Sequence, residues 1–211
     1  MTRSAMIWGA GGGIGHALVA KLKEEGWRVL AMGRHTDELS DLTPYRYEAE
    51  VADPESVEGA VAKASLQVDQ VDLWIYAVGD INASRVVDSS PDDWQRIIDA
   101  NLTGAYLTAH HSLPLLAIDA HLVFLGAVSE RLRLPRLSAY AAAKSGLEGF
   151  VEVLRKEERK RRVTLVRPAA VDTDLWTKVP FKLPQGALSP EAVADQLLAA
   201  YRDGYRGVLD L

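Results

Sequence analysis

Short apolar runs and longer amphipathic stretches alternate along this chain almost without interruption, and that alternation restricts its fold more than any single motif does. Runs rich in β-branched or aromatic residues stand at 5–8, 28–32, 46–49, 73–78, 122–125, 164–167 and 207–211, and helical patterns at 14–25, 54–64, 92–116, 139–159 and 190–203. Pro54 and Pro190 each suit a first helical turn, and Gly26 suits a C-terminal cap. Parallel strands need crossover connections of this kind, so the pattern predicts an α/β fold: a doubly wound parallel sheet of about seven strands with helices on both faces. The 211 residues contain no Pro/Gly/Ser-rich linker, and a single domain over 1–211 is expected. In such sheets ligands bind beyond the carboxyl ends of the strands, where strand order reverses.

Composition removes several classes of chemistry. There is no cysteine, so disulfides, thiolate catalysis and cysteine-ligated metals are excluded, and no metal site is expected. His110 and His111 are adjacent, and adjacent helical positions point in different directions. The net charge of −5 disfavours nucleic acid as a partner, and the basic run from Lys156 to Arg162 reads as a solvated helix terminus. No apolar run reaches the ~18 residues that a membrane span needs. The chain starts directly with a strand pattern and shows no cleavable signal, so a cytoplasmic location is expected.

The first apolar run leads into Gly9-Ala10-Gly11-Gly12-Gly13-Ile14-Gly15 and then an amphipathic helix. Glycines in a strand–turn–helix context let backbone approach a pyrophosphate, and the helix N-terminus offers free N–H groups and a positive dipole end. The spacing of Gly9, Gly13 and Gly15 resembles the Gly-x3-Gly-x-Gly loop of the short-chain dehydrogenases/reductases. The resemblance extends over nearly the whole chain: Glu50-Val51-Ala52-Asp53 is similar to the family's adenine-contacting Asp-Val-x-Asp, Asn101 stands where the family has its helix asparagine, and Tyr140-x3-Lys144 matches its catalytic signature. A Rossmann-type dinucleotide-binding domain is implied.

That resemblance implies a cofactor site formed by Gly9, Gly11, Gly12, Gly13, Ile14, Gly15, Arg34, Glu50, Val51, Gly79, Lys144, Pro168, Val171 and Thr173. The second strand ends at Met32-Gly33-Arg34 without a carboxylate for a ribose 2′-hydroxyl, and Arg34 can pair with a 2′-phosphate, so NADP is expected in preference to NAD. Pro168-Ala169-Ala170-Val171-Asp172-Thr173 resembles the family's segment beside the nicotinamide, with Thr173 available to the carboxamide.

A phenol with pKa near 10 is a poor acid–base catalyst at neutral pH, and a nearby ammonium stabilises its phenolate. One helical turn separates Tyr140 from Lys144, which permits both to face one cleft; the family resemblance implies that they do. The implied reaction is hydride transfer to a small carbonyl or imine carbon while Tyr140 protonates the heteroatom, with Asn101 interrupting its helix and holding a relay water for Lys144. The resemblance also implies a homodimer or homotetramer assembled through the helices containing Asn101 and Tyr140.

Three departures qualify that reading. The family's substrate-polarising serine falls at Ala127, thirteen residues before Tyr140, and alanine has no donor. Ser129 can replace it if the intervening loop is shortened, whereas Ser138 reads as the N-cap of the Tyr140 helix. Tyr76-Ala77-Val78-Gly79 stands in place of Asn-Asn-Ala-Gly, keeping Gly79 and losing the asparagines that brace the sheet end. Only a short stretch, 174–188, precedes the last helix, with Trp176 and Phe181 as apolar residues able to contact a substrate or anchor the loop. Dihydropteridine reductases share the alanine, the compact C-terminal region and an aromatic residue before the first glycine, here Trp8. A quinonoid or pterin substrate, already activated for hydride, is therefore an alternative, and a catalytically poor NADP-binding redox sensor is a third.

Overall fold

The computed structural model describes residues 2–128 and 132–211. Seven parallel strands form one sheet: β1 (Ser4–Trp8), β2 (Arg28–Gly33), β3 (Arg46–Glu48), β4 (Val71–Tyr76), β5 (Leu116–Leu125), β6 (Arg162–Arg167) and β7 (Gly207–Asp210). Their order is β3-β2-β1-β4-β5-β6-β7, so the chain reverses direction across the sheet between β1 and β4. Ala5 registers with Val29 on one side and Leu73 on the other.

The helices are α1 (Gly13–Glu24), α2 (Pro54–Ser65), α3 (Pro91–Ile98), α4 (Gly104–Ser112), α5 (Ser138–Glu157) and α6 (Pro190–Arg202). Successive side chains on a strand point to opposite faces. Met6, Trp8, Leu30 and Met32 accordingly enter one core with α2, α4 and α5, while Ala5, Ile7, Val29 and Ala31 enter the other with α1 and α6. Both faces are therefore covered, which explains why the strands are apolar throughout rather than alternating.

Local signals set the helix ends. Asp53 accepts from the Glu55 N–H, Ser90 from Asp93 and Ser189 from Ala192, each followed by proline at the first helical position. Gly26 takes φ +76° after α1, donating its N–H to the Lys23 carbonyl.

Three expectations are corrected. The pattern over 92–116 is not one continuous helix: α3 passes through a π-helical segment, Asp99–Thr103, into α4, with the irregularity at Asn101 where the resemblance implied an interruption, and a 3-10 turn at Leu113–Leu115 around Pro114 ends it before Leu116. β5 starts at Leu116, six residues before its apolar run, pairing with β4 from Val71 across a register shift; Asp119 and His121 mask this first part in the sequence pattern. Ser138 is the first helical residue of α5, and Leu137 occupies the N-cap with no side-chain bond.

Candidate active site

The chain leaves β1 and turns at Gly9, whose φ of +82° suits glycine and whose added Cβ would lie 2.8 Å from the Ala77 carbonyl carbon. A Cβ on Gly15 would lie 2.1 Å from the Gly9 carbonyl oxygen. These approaches press the loop against the end of β4, at the point where strand order reverses. Gly12 is the N-cap of α1, which has neither a side-chain cap nor an acidic residue in its first turn. Gly11, Gly12 and Gly13 are exposed. Free N–H groups and the helix dipole thus meet at an open surface, an arrangement that fits a dinucleotide phosphate.

The remaining expected cofactor residues gather at the same edge of the sheet. Arg34 is exposed immediately after β2, and the backbone of the following His35 lies against Gly11. Val51 is buried against Gly104, and the Glu50 carboxylate accepts from the Ala52 N–H at 3.4 Å. Pro168 is buried directly after β6, and the Val171 carbonyl accepts from the Trp176 indole at 2.8 Å, which anchors the loop. Thr173 lies over α1, its Cγ2 2.9 Å from where a Cβ on Gly13 would stand.

Asn101, in the π segment, is fully buried and donates through Nδ2 to the carbonyls of Asp80 (2.7 Å) and Ile97 (2.9 Å). Both donors are used on local backbone, yet Oδ1 is buried without a partner beside Gly79. A buried acceptor left free in this way fits a relay water. The π segment is also braced by Tyr76, whose hydroxyl donates to the Ala100 carbonyl at 2.7 Å. Tyrosine thereby supplies a brace at the sheet end where the family's asparagine is missing.

Tyr140 and Lys144 lie one turn apart on α5. Lys144 is buried, with Nζ 2.9 Å from the Leu125 carbonyl at the end of β5 and 5.7 Å from the Tyr140 ring centroid. Burial lowers the Lys144 ammonium to about 8 and pushes the half-buried Tyr140 phenol up to about 12. The depression of the phenol expected from its neighbour is thus not seen, and desolvation sets the direction for both groups. Ala127 lies two residues beyond β5 and offers no donor; Ser129 lies outside the described residues.

Sequence reasoning missed a second cluster at this edge. Asp80 is 8% exposed and accepts from Lys178 Nζ at 2.7 Å, from its neighbour's Ile81 N–H at 2.9 Å and from the Arg96 guanidinium. Arg96 comes from α3 and Lys178 from the 3-10 turn Asp174–Lys178, so no local spacing could have announced the group. Among the described residues no group of His, Asp and Glu is placed to hold a metal ion, and no helix is long and apolar enough to cross a membrane.

A family model for short chain dehydrogenases matches residues 3–182. An uncharacterised oxidoreductase of Staphylococcus aureus (strain MRSA252) is 28% identical over 207 residues, covering 93% of this chain and 89% of that protein. Among solved structures, an alcohol dehydrogenase of Thermococcus sibiricus complexed with 5-hydroxy-NADP superposes with a TM-score of 0.90 at 23% identity, covering 100% of this chain and 95% of the other. A 3-ketoacyl-(acyl-carrier-protein) reductase of Brucella melitensis complexed with NADH gives 0.87 at 21%, covering 99% and 96%. The chain belongs to the short-chain dehydrogenase family. It is an NAD(P)-dependent oxidoreductase of the Rossmann type.

Proposed function

We propose that this protein is an NADP(H)-dependent reductase of a small carbonyl compound, with Tyr140 as the acid/base, Lys144 as its electrostatic partner and Asn101 in the proton relay. The observation that carries the reading is the buried Lys144 ammonium, held 5.7 Å from the Tyr140 ring at the edge that also bears the uncapped α1 N-terminus. Gly11 to Ile14 would hold the diphosphate, Gly79 and Val51 the adenosine side, Pro168, Val171 and Thr173 the nicotinamide side, and Arg34 the 2′-phosphate. Bound there, a reduced nicotinamide supplies the hydride. Tyr140 gives its proton to the substrate oxygen as negative charge develops, and Lys144 stabilises the resulting phenolate. The free Oδ1 of Asn101 accepts a hydrogen bond from water, giving Lys144 a route for proton recovery.

Ala127 favours a second reading, because a carbonyl reduced without a polarising donor loses roughly 3 kcal/mol of transition-state stabilisation. A quinonoid or dihydropterin-like substrate is already activated and needs that donor less. Ser129 is the candidate replacement if the substrate is a simple carbonyl. By family analogy we place a homodimer or tetramer contact on α4 and α5, where Tyr106 and Val153 are exposed, and a cytoplasmic location accords with the reading.

The test is fluorescence titration with NADPH and NADH, followed by cofactor oxidation against ketones, quinones and quinonoid dihydropterin, with Tyr140→Phe as control. Tyr140-dependent turnover establishes the reductase and ranks the substrate classes. Tight NADPH binding with no turnover would point to a redox sensor, and absence of binding would remove the reading altogether.

A further inference from the structure

Thr173 lies over the N-terminus of α1, and the 3-10 turn that follows carries the chain from there to the end of β4, where Lys178 meets Asp80 at 2.7 Å. This strap thus ties the N-terminus of α1 to the loop that follows β4. Lys178 feels the positive charge of both Arg96 and Arg34; Asp80 pairs with Lys178 and Arg96, and Arg96 also pairs with Asp93 at 3.2 Å. Burial and those two guanidinium groups lower the Lys178 ammonium below its ordinary range.

The two partners of the ion pair are not equally committed. Asp80 would keep Arg96 and the Ile81 N–H if Lys178 left, so its buried carboxylate would not be stranded. The Lys178 side chain is 49% exposed and long enough to reorient. A diphosphate held at the N-terminus of α1, where Thr173 lies against Gly13 five residues before Lys178, would bring two negative charges to a strap whose half-exposed ammonium shares Asp80 with Arg96, and would compete with Asp80 for it.

We propose that Lys178 is a phosphate-binding residue: it exchanges Asp80 for the diphosphate of the nicotinamide dinucleotide, fastening the strap over the cofactor. The inference rests on the cofactor-binding part of the proposed function. Because both nicotinamide dinucleotides carry the diphosphate, the contact acts on both alike, and Arg34 alone reads the 2′-phosphate.

The experiment titrates the full chain with NADPH and NADH by fluorescence at two salt concentrations, comparing the wild type with Lys178→Met and Lys178→Arg. A charge-assisted contact of this kind predicts a Kd raised on the order of tenfold for both cofactors in Lys178→Met, a weaker salt dependence, and recovery in Lys178→Arg. Unaltered thermal unfolding of Lys178→Met would show that the loss is one of binding. Equal affinity of wild type and Lys178→Met overturns the proposal, leaving the Asp80 pair as a loop anchor. A loss confined to NADPH also overturns it, since Lys178 would then be reading the 2′-phosphate. Wild type that binds neither cofactor would overturn the proposed function itself, and this inference with it.

Discussion

The hydroxyl of Tyr76, at the end of β4, donates to the carbonyl of Ala100 at 2.7 Å, inside the π segment that separates α3 from α4. A π segment loosens the ordinary helical hydrogen-bond ladder, and a partly buried carbonyl freed there, as at Ala100, costs stability unless it finds a donor. Tyr76 is fully buried, its phenol is held well above the usual range by burial, and it stays a donor at every working pH.

Removing that hydroxyl isolates its effect. Tyr76→Phe keeps the ring stacked on Trp74 at 6.3 Å but orphans the Ala100 carbonyl. A destabilisation of about 1–3 kcal/mol is expected, read as a lower urea midpoint at unchanged slope. An unshifted midpoint would mean that water or a neighbour replaces the donor.

The glycine loop gives a contrast between two kinds of glycine. Gly15→Ala forces a methyl to within 2.1 Å of the Gly9 carbonyl, so both thermal stability and dinucleotide binding should fall sharply. Gly149→Ala, in the middle of α5 with nothing within 4 Å of the new methyl, should instead stabilise by roughly 0.5–1 kcal/mol through helix propensity. Melting curves for the pair settle the matter, and similar behaviour in both would contradict the close approach.

Lys144 makes the pH dependence of turnover specific. Its ammonium, lowered to about 8, supports the Tyr140 phenolate only while protonated, so the rate should decline as pH rises through about 8. Lys144→Met should lower turnover by at least a hundredfold and abolish that limb. A wild-type profile flat from pH 7 to 9.5 would argue against Lys144 as the partner of Tyr140.

His121 should make the fold acid-sensitive. It is 1% exposed on β5, paired to the Thr164 hydroxyl at 2.8 Å, and burial with the nearby Arg162 cation lowers it from 6.5 to about 3. The unfolded chain then binds the extra proton between about pH 6.5 and 3, so stability is lost as pH falls through that window. The linkage amounts to roughly 2–3 kcal/mol at pH 4.5, measurable as a fall in urea midpoint that His121→Gln should largely remove. Parallel acid profiles for the two proteins would exclude it.

Ala127→Ser distinguishes the substrate readings. If the substrate is a simple carbonyl and Ser129 does not already supply the donor, restoring a hydroxyl at 127 should raise turnover by tenfold or more. A quinonoid substrate should be nearly indifferent, and steady-state kinetics on both classes checks this.

Most of the sheet was legible because a strand buried on both faces must be apolar along its length, as in β1, β2 and β4. The caps at Asp53 and Ser189 announced themselves through the prolines that follow them. The π segment did not show in the apolar pattern, which it satisfies as well as an α-helix would; only the resemblance at Asn101 implied an interruption there. Nor did the stretch of β5 before Leu122, where Asp119 and His121 break the apolar signal and His121 is recognisable only through Thr164 on the neighbouring strand. At the site, Gly9 to Gly15, Arg34, Tyr140 and Lys144 could be named from spacing and resemblance. Lys178 could not, because its partner Asp80 lies 98 residues away and meets it only through the crossover after β6.

The π segment also sets a phase. Each residue advances a helix by about 100°, so a widened turn rotates everything beyond it relative to an uninterrupted coil. Deleting one residue between 99 and 103 would yield a more regular helix on paper. It would also twist α3 against α4 by about that angle, swinging Arg96 off Asp80 while Tyr106 kept its place against Phe150. Regularity here is sacrificed for phase: α3 packs on α5 while keeping Arg96 on Asp80, α4 packs on α2 while keeping Tyr106 on Phe150, and the irregular turn between them is what allows one rod to serve both sets of neighbours.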